Sequence, residues 1–247
     1  MRRIVVISAL AVALAVVVFA PANLTRIGFT QIDGVELIQP RGSIWNGSGV
    51  LVFDSGISAN LNWQIIWDIS RGLTPNIKWQ LTQKQTALNG TVTPGLKRQT
   101  IDIEGHFTGA LLAPLLAKYD ILIPGTFRVP ASRILINRTA KTMQIELAEG
   151  TQLLWSGGLV RYTLSNGLEQ VGVPELTVTL MSVKDSLPTA TIALTKNNTG
   201  SLLTLTPEVN GYVNIQVTRG FIELMGQNWS GSAQPNDVVV AVKRKVF

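Results

Sequence analysis

From about residue 30 onward, apolar and polar positions alternate with a period of two. Leu61, Trp63, Ile65 and Trp67 are interleaved with Asn62, Gln64 and Ile66, and Ile77, Trp79 and Leu81 with Lys78, Gln80 and Thr82. The same beat returns at Met143, Ile145 and Leu147, at Leu176, Val178 and Leu180, and at Val213, Ile215 and Val217. Successive side chains of a strand point to opposite faces, so each segment predicts one apolar and one polar face. Strands of that kind belong to antiparallel sheets packed on one side. Turn signals separate them: Asp33-Gly34, Pro40-Arg41-Gly42, Asn89-Gly90, Pro94-Gly95, Pro124-Gly125, Asn166-Gly167 and Asn210-Gly211. These residues supply or fix the φ values at which a chain reverses. The pattern predicts an all-β fold, an antiparallel curved sheet or a sandwich built from hairpins. Only Gly109–Tyr119 departs from it, a stretch rich in helix formers that predicts at most one short helix with Pro114 near its first turn. A seam near 120–130 suggests two lobes, 30–120 and 121–247. The final VVVAVKRKVF reads as a closing strand or a loose tail.

The N-terminus follows another rule. From Ile4 to Ala20 only Ser8 is polar. As a helix this run spans about 25 Å, against a hydrocarbon core of about 30 Å. Arg2 and Arg3 precede it and only Arg26 lies close behind, a bias that places the N-terminus in the cytoplasm. Pro21 directly after Ala20 disfavours cleavage of a signal peptide at that point. The expectation is a cytoplasmic stub at 1–3, a single transmembrane helix at 4–20, and a β domain over 22–247 on the far side.

Composition narrows the chemistry. Charged residues make up 15% of the chain, and the formal net charge is +6. A soluble domain averages about 25% charged. The cations are scattered, apart from Lys243, Arg244 and Lys245, which read as a solvated tail, so no nucleic-acid partner is expected. With no Cys there are no disulfides, thiolate metal sites or cysteine nucleophiles. His106 is the single histidine, and neither a phosphate loop, HExxH nor G-x-S-x-G is present. Asp102 and Glu104 share one strand face, an arrangement more typical of solvated acids than of a catalytic pair. The reading is a non-enzyme without catalytic residues, cofactor or metal.

One pattern remains. Trp-(Asn/Ser)-Gly occurs three times, in GSIWNGSG (42–49), LLWSGG (153–158) and QNWSGSA (227–233). Gly47, Gly157 and Gly231 follow Trp45, Trp155 and Trp229 by two. A glycine lets a ring or backbone approach closely, and an indole lying over it buries its area while its N–H reaches a carbonyl. The first reading is therefore a repeated corner in a curved sheet. The second is a set of outward-facing indoles that anchor a partner. The third is a carbohydrate or lipid platform of Trp45, Trp63, Trp67 and Trp79. The candidate structural or interface residues are Trp45, Gly47, Trp63, Trp155, Gly157, Trp229 and Gly231.

The order of these motifs carries a resemblance. An N-terminal apolar segment leads to Gly42-Ser-Ile-Trp45-Asn46-Gly47, then to Leu61-Asn62-Trp63, then to Leu154-Trp155-Ser-Gly157-Gly158. This series resembles the type II secretion system protein N family, the general secretion pathway protein N of Gram-negative bacteria, over most of the chain to about residue 180. The resemblance implies a bitopic protein of the cell inner membrane with a periplasmic domain and no catalytic activity. It further implies a part in moving folded proteins from the periplasm across the outer membrane, beside the inner-membrane platform and the outer-membrane secretin. The alternative is a periplasmic lipid-binding or lipid-transfer protein with an open apolar β groove. Whether a second sheet closes the apolar face discriminates the two.

Overall fold

In a computed structural model of the chain, the residues described are 20–29, 34–53, 56–69, 73–138, 143–164, 167–182, 186–196 and 200–245. The chain forms two compact units that divide between residues 83 and 84. The division does not fall at the expected seam near 120–130, because strands on either side of that seam pair with each other over most of their length.

The first unit is a meander of four antiparallel strands, β1 (Val35–Gly42), β2 (Asn46–Phe53), β3 (Ser58–Asp68) and β4 (Thr74–Gln83). Its register aligns the apolar positions that period-two patterning marks. Leu37, Leu51 and Ala59 form one cross-strand row; Gly49, Leu61 and Leu81 form the next; Gly47, Trp63 and Trp79 form a third. Cross-strand neighbours on one face are the unit of sheet stabilisation, and these rows bury Leu37, Leu51, Leu61 and Trp63. A short helix α1 (Thr25–Phe29) and the turn before it bring Ala22 and Phe29 onto the same face.

The N-terminal expectation is corrected here. Residues 4–19 lie outside the described residues. Ala20, assigned to the end of the span, lies outside any helix and is only 5% exposed within the unit. Its carbonyl accepts a hydrogen bond from Ile44 N at 3.0 Å, and Pro21 makes a β-bridge to Ser43. Among the described residues no helix is long and apolar enough to cross a membrane. The single-pass placement in the inner membrane is corrected to that extent: Ala20 packs within the β unit, and no spanning helix occurs among the described residues.

The second unit holds a larger open antiparallel sheet and a small one. Its elements are β5 (Thr86–Thr93), β6 (Arg98–Thr108), α2 (Ala113–Leu116), β7 (Ile121–Leu122), β8 (Thr126–Arg138), β9 (Met143–Leu147), β10 (Gln152–Trp155), β11 (Gly158–Leu164), β12 (Gly167–Val173), β13 (Leu176–Met181), β14 (Thr189–Leu194), β15 (Leu203–Pro207), β16 (Tyr212–Thr218), α3 (Arg219–Leu224) and β17 (Val238–Lys245). The main sheet runs β5-β6-β8-β10-β13-β14-β15-β16-β17, with β9 also paired to β8, and the small sheet runs β12-β11-β7. The helix expected over Gly109–Tyr119 forms as α2 flanked by single 3-10 turns, with Pro114 in the first turn, where a missing N–H costs nothing. The closing strand anticipated near the C-terminus is β17.

Phe107, Phe127, Trp155, Leu176 and Leu194 form one row across five strands of the main sheet. Phe107 and Phe127 stack with centroids 5.0 Å apart, and Phe127 and Trp155 at 6.0 Å. Val160 and Tyr162 of β11, Val173 of β12, and Phe221 and Leu224 of α3 pack against this row. The apolar face is therefore covered here by the small sheet and a helix. The Tyr162 hydroxyl, buried with it, donates to the Met225 carbonyl at 2.6 Å.

Candidate docking surface

The three Trp-Gly stretches adopt three different local structures. GSIWNG spans the end of β1, a three-residue loop and the start of β2. Ser43 closes it: its N–H donates to the Asn46 carbonyl at 2.9 Å, and its hydroxyl oxygen accepts from the Asn46 and Trp45 N–H groups at 3.1 and 3.3 Å. The Trp45 carbonyl accepts from Ile65 N at 2.6 Å. The indole lying over Gly47 belongs to Trp63, sixteen residues downstream and its partner in register. A methyl group at Gly47 would lie 2.5 Å from Cζ2 of Trp63. Trp63 Nε1 donates to the Ile44 carbonyl at 3.1 Å, so one side chain ties the loop to the sheet. The expected pairing of Trp45 with its own Gly47 is replaced by this longer-range one.

LLWSGG is a change of sheet. Trp155 ends β10 in the main sheet, and Gly158 begins β11 in the small one. Gly157 makes the turn with φ of +76°, where a side chain would also meet the Val173 carbonyl oxygen at 2.6 Å. Trp155 is buried and its Nε1 donates to the Pro124 carbonyl at 2.7 Å. The Ser156 hydroxyl accepts from Thr126 N at 3.0 Å. QNWSGSA lies in the loop between α3 and β17, where the half-buried Trp229 ring sits beside Gly231. Of the three stretches, this alone has its own Trp over its own Gly. Trp63 with Gly47 and Trp155 with Gly157 thus belong to packed, hydrogen-bonded parts of the two units, whereas Trp229 and Gly231 lie in a loop.

Trp45 behaves differently. Strand β2 begins at Asn46, opposite Gln64, so β3 beyond Ile65 has only β4 as a strand partner. The β3–β4 ribbon therefore projects past the rest of the meander. On it Trp67 is 48% exposed, Ile69 78% and Leu73 64%, with Ile66 also exposed. The alternation that predicts an inward Trp67 continues in the backbone, but nothing among the described residues covers that end of the face. Trp45 stands beside it, its ring centroid 5.9 Å from that of Trp67 and tilted by 49°. The platform of Trp45, Trp63, Trp67 and Trp79 is thus divided: Trp63 is buried, Trp79 packs on the core, and Trp45 and Trp67 remain at the ribbon. Sequence reasoning misses Ile69 and Leu73 as surface groups, although Ile65-Ile-Trp-Asp-Ile69 does break the alternation.

Asp102 and Glu104, the two acids that share a strand, are each engaged across strands. Asp102 accepts from Arg133 at 2.6 Å, which holds that guanidinium above its ordinary pKa. Glu104 accepts from Asn89 at 2.9 Å. Glu104 lies within the register shift between Ile103 and Gly105, Asp102 just before it, and each faces its own partner. His106 is exposed and stands opposite Arg128. Comparisons with family models, with curated proteins and with solved structures find no match for this chain.

Proposed function

We propose that the protein is a non-catalytic component of a type II secretion apparatus that assists export of folded proteins, and that it engages its neighbours through the projecting β3–β4 ribbon. The motif series from Gly42 to Gly158 supports the family reading. The observation that carries the docking role is the exposed apolar cluster of Trp67, Ile69 and Leu73 beside Trp45. Contiguous exposed apolar groups mark interaction sites, and exposed Trp commonly dominates an interface. A projecting apolar ribbon of this kind would insert into an apolar recess of a neighbouring subunit. The lipid-handling alternative needs an uncovered apolar face, whereas the face around Phe127 and Trp155 is filled by Val160, Tyr162 and Val173.

A photo-crosslinking amino acid at position 67, in living cells, tests the reading. Crosslinks to secretin or platform subunits, together with loss of exoprotein release in a deletion strain, are expected. Normal release without the protein refutes the secretion role, and phospholipid co-purifying in native mass spectrometry favours lipid handling instead.

A further inference from the structure

We propose that the open edge of β17 accepts an extended segment of another protein by strand addition, and that this segment is apolar at one end and acidic at the other. Strand β17 ends the main sheet and pairs, among the described residues, only with β16. From Val240 to Lys245 its register with Val217 to Tyr212 is unbroken. It contains no Pro, and none of its residues takes a positive φ. Its outer row of N–H and C=O groups is thus a template for a further strand. Strand β1, which ends the meander of the other unit, shows what a blunted edge looks like. It carries Pro40, a φ of +50° at Gln39 and a register shift between Ile38 and Arg41.

The side chains define the guest. Val240, Val242 and Arg244 share one face of β17; Ala241, Lys243 and Lys245 share the other. On both faces the first half is apolar or small and the second half cationic. Lys243 is already engaged, 2.7 Å from Glu208 and over the Tyr212 ring. Arg244 and Lys245 are exposed and have no acidic partner among the described residues. An antiparallel guest therefore needs acidic residues first and apolar residues after them. A second copy of β17 does not meet that need. Parallel and in register, it sets cation against cation; antiparallel and fully overlapped, it sets Val240 to Val242 against Lys243 to Lys245. Like charges directly opposite destabilise a sheet. The inference concerns the second unit alone and does not depend on the secretion reading.

Fluorescence anisotropy on the full chain tests it with a labelled peptide, Glu-Asp-Glu-Val-Thr-Val, and the same peptide N-methylated at every amide. Saturable binding is expected for the first and none for the second, because strand addition needs the backbone N–H groups. The double variant Arg244→Glu, Lys245→Glu, checked for an unchanged circular-dichroism spectrum, should bind about tenfold more weakly, as loss of two cross-strand charge pairs requires. It should recover binding with a peptide whose acids are replaced by Lys. Equal binding of the N-methylated peptide, or no binding at millimolar peptide, overturns the proposal. So does a concentration-dependent dimer of the wild-type chain paired through this edge, since that gives the edge to a second copy.

Discussion

Gly47→Ala probes the packing that fixes the first Trp-Gly loop. The added methyl group would lie 2.5 Å from Cζ2 of Trp63, 2.7 Å from the Arg41 carbonyl oxygen and 2.8 Å from the Ser43 carbonyl oxygen. The backbone at Gly47 is not in the positive-φ region, so Ala adds no conformational strain and the effect is one of space alone. The ring cannot swing away freely, because its Nε1 is bonded to Ile44 and it faces Trp79 across the strands. Nor can the two oxygens move freely, since they belong to the end of β1 and to a loop that Ser43 closes. Overpacking of this kind costs about 1–3 kcal/mol, and three simultaneous contacts place Gly47→Ala at about 2–3. Trp63→Ala costs about 3–5 kcal/mol by cavity formation. In the double variant the ring contact disappears while the two oxygens stay. The pair should therefore couple favourably by about 1 kcal/mol, with incomplete rescue. Urea unfolding of the full chain, followed by circular dichroism, measures it: with m near 2 kcal/mol/M, a 2 kcal/mol loss moves the midpoint of the first unit by about 1 M. A Gly47→Ala midpoint equal to wild type, or strict additivity in the cycle, would refute the packing argument.

Trp155→Phe keeps a ring in the aromatic row but leaves the Pro124 carbonyl without its 2.7 Å donor; it should cost about 2–3 kcal/mol in the same assay. With the crosslinker kept at position 67, Ile69→Ser with Leu73→Ser alters only exposed ribbon residues and should change stability by no more than about 0.5 kcal/mol, while abolishing the crosslinks. Hydrogen bonds from Lys243 and then Asn210 hold the Glu208 carboxyl below its ordinary value. A carboxyl lowered on folding contributes stability above its unfolded pKa and loses it as pH falls through the folded one. The stability gap between wild type and Glu208→Gln should accordingly close on acidification, as read from urea midpoints across that range.

Much of the β architecture is legible in residue order. The alternations at 61–67, 77–81, 176–180 and 213–217 fall in β3, β4, β13 and β16, because one-sided burial demands that period. Local signals fail where a tertiary contact decides. Asn89-Gly90 reads as a turn but lies within β5, paired to Glu104 and Ile103; the chain turns earlier, at Lys84-Gln85, with φ of +37° at Lys84. The partner of Gly47 is invisible because Trp63 reaches it through strand register, not through adjacency. The exposure of Trp67 depends on where β2 begins, which no alternation within β3 encodes. Ile69 and Leu73 are apolar residues on either side of Ser70-Arg71-Gly72 in the sequence, and their exposure follows from the tertiary structure rather than from residue type.

The sheet orders also imply a sequence of assembly. In the first unit every strand pairs with its neighbour in the chain, so each hairpin closes over a short loop and the unit can form as soon as it leaves the ribosome. In the second, β10 must find β13 across the whole β11–β12 excursion, a slower closure that waits on that ribbon folding back. Until it does, Phe127 and Trp155 stay open to solvent. The late step, and the hazard of misassembly that comes with it, belongs to the residues around Gly157.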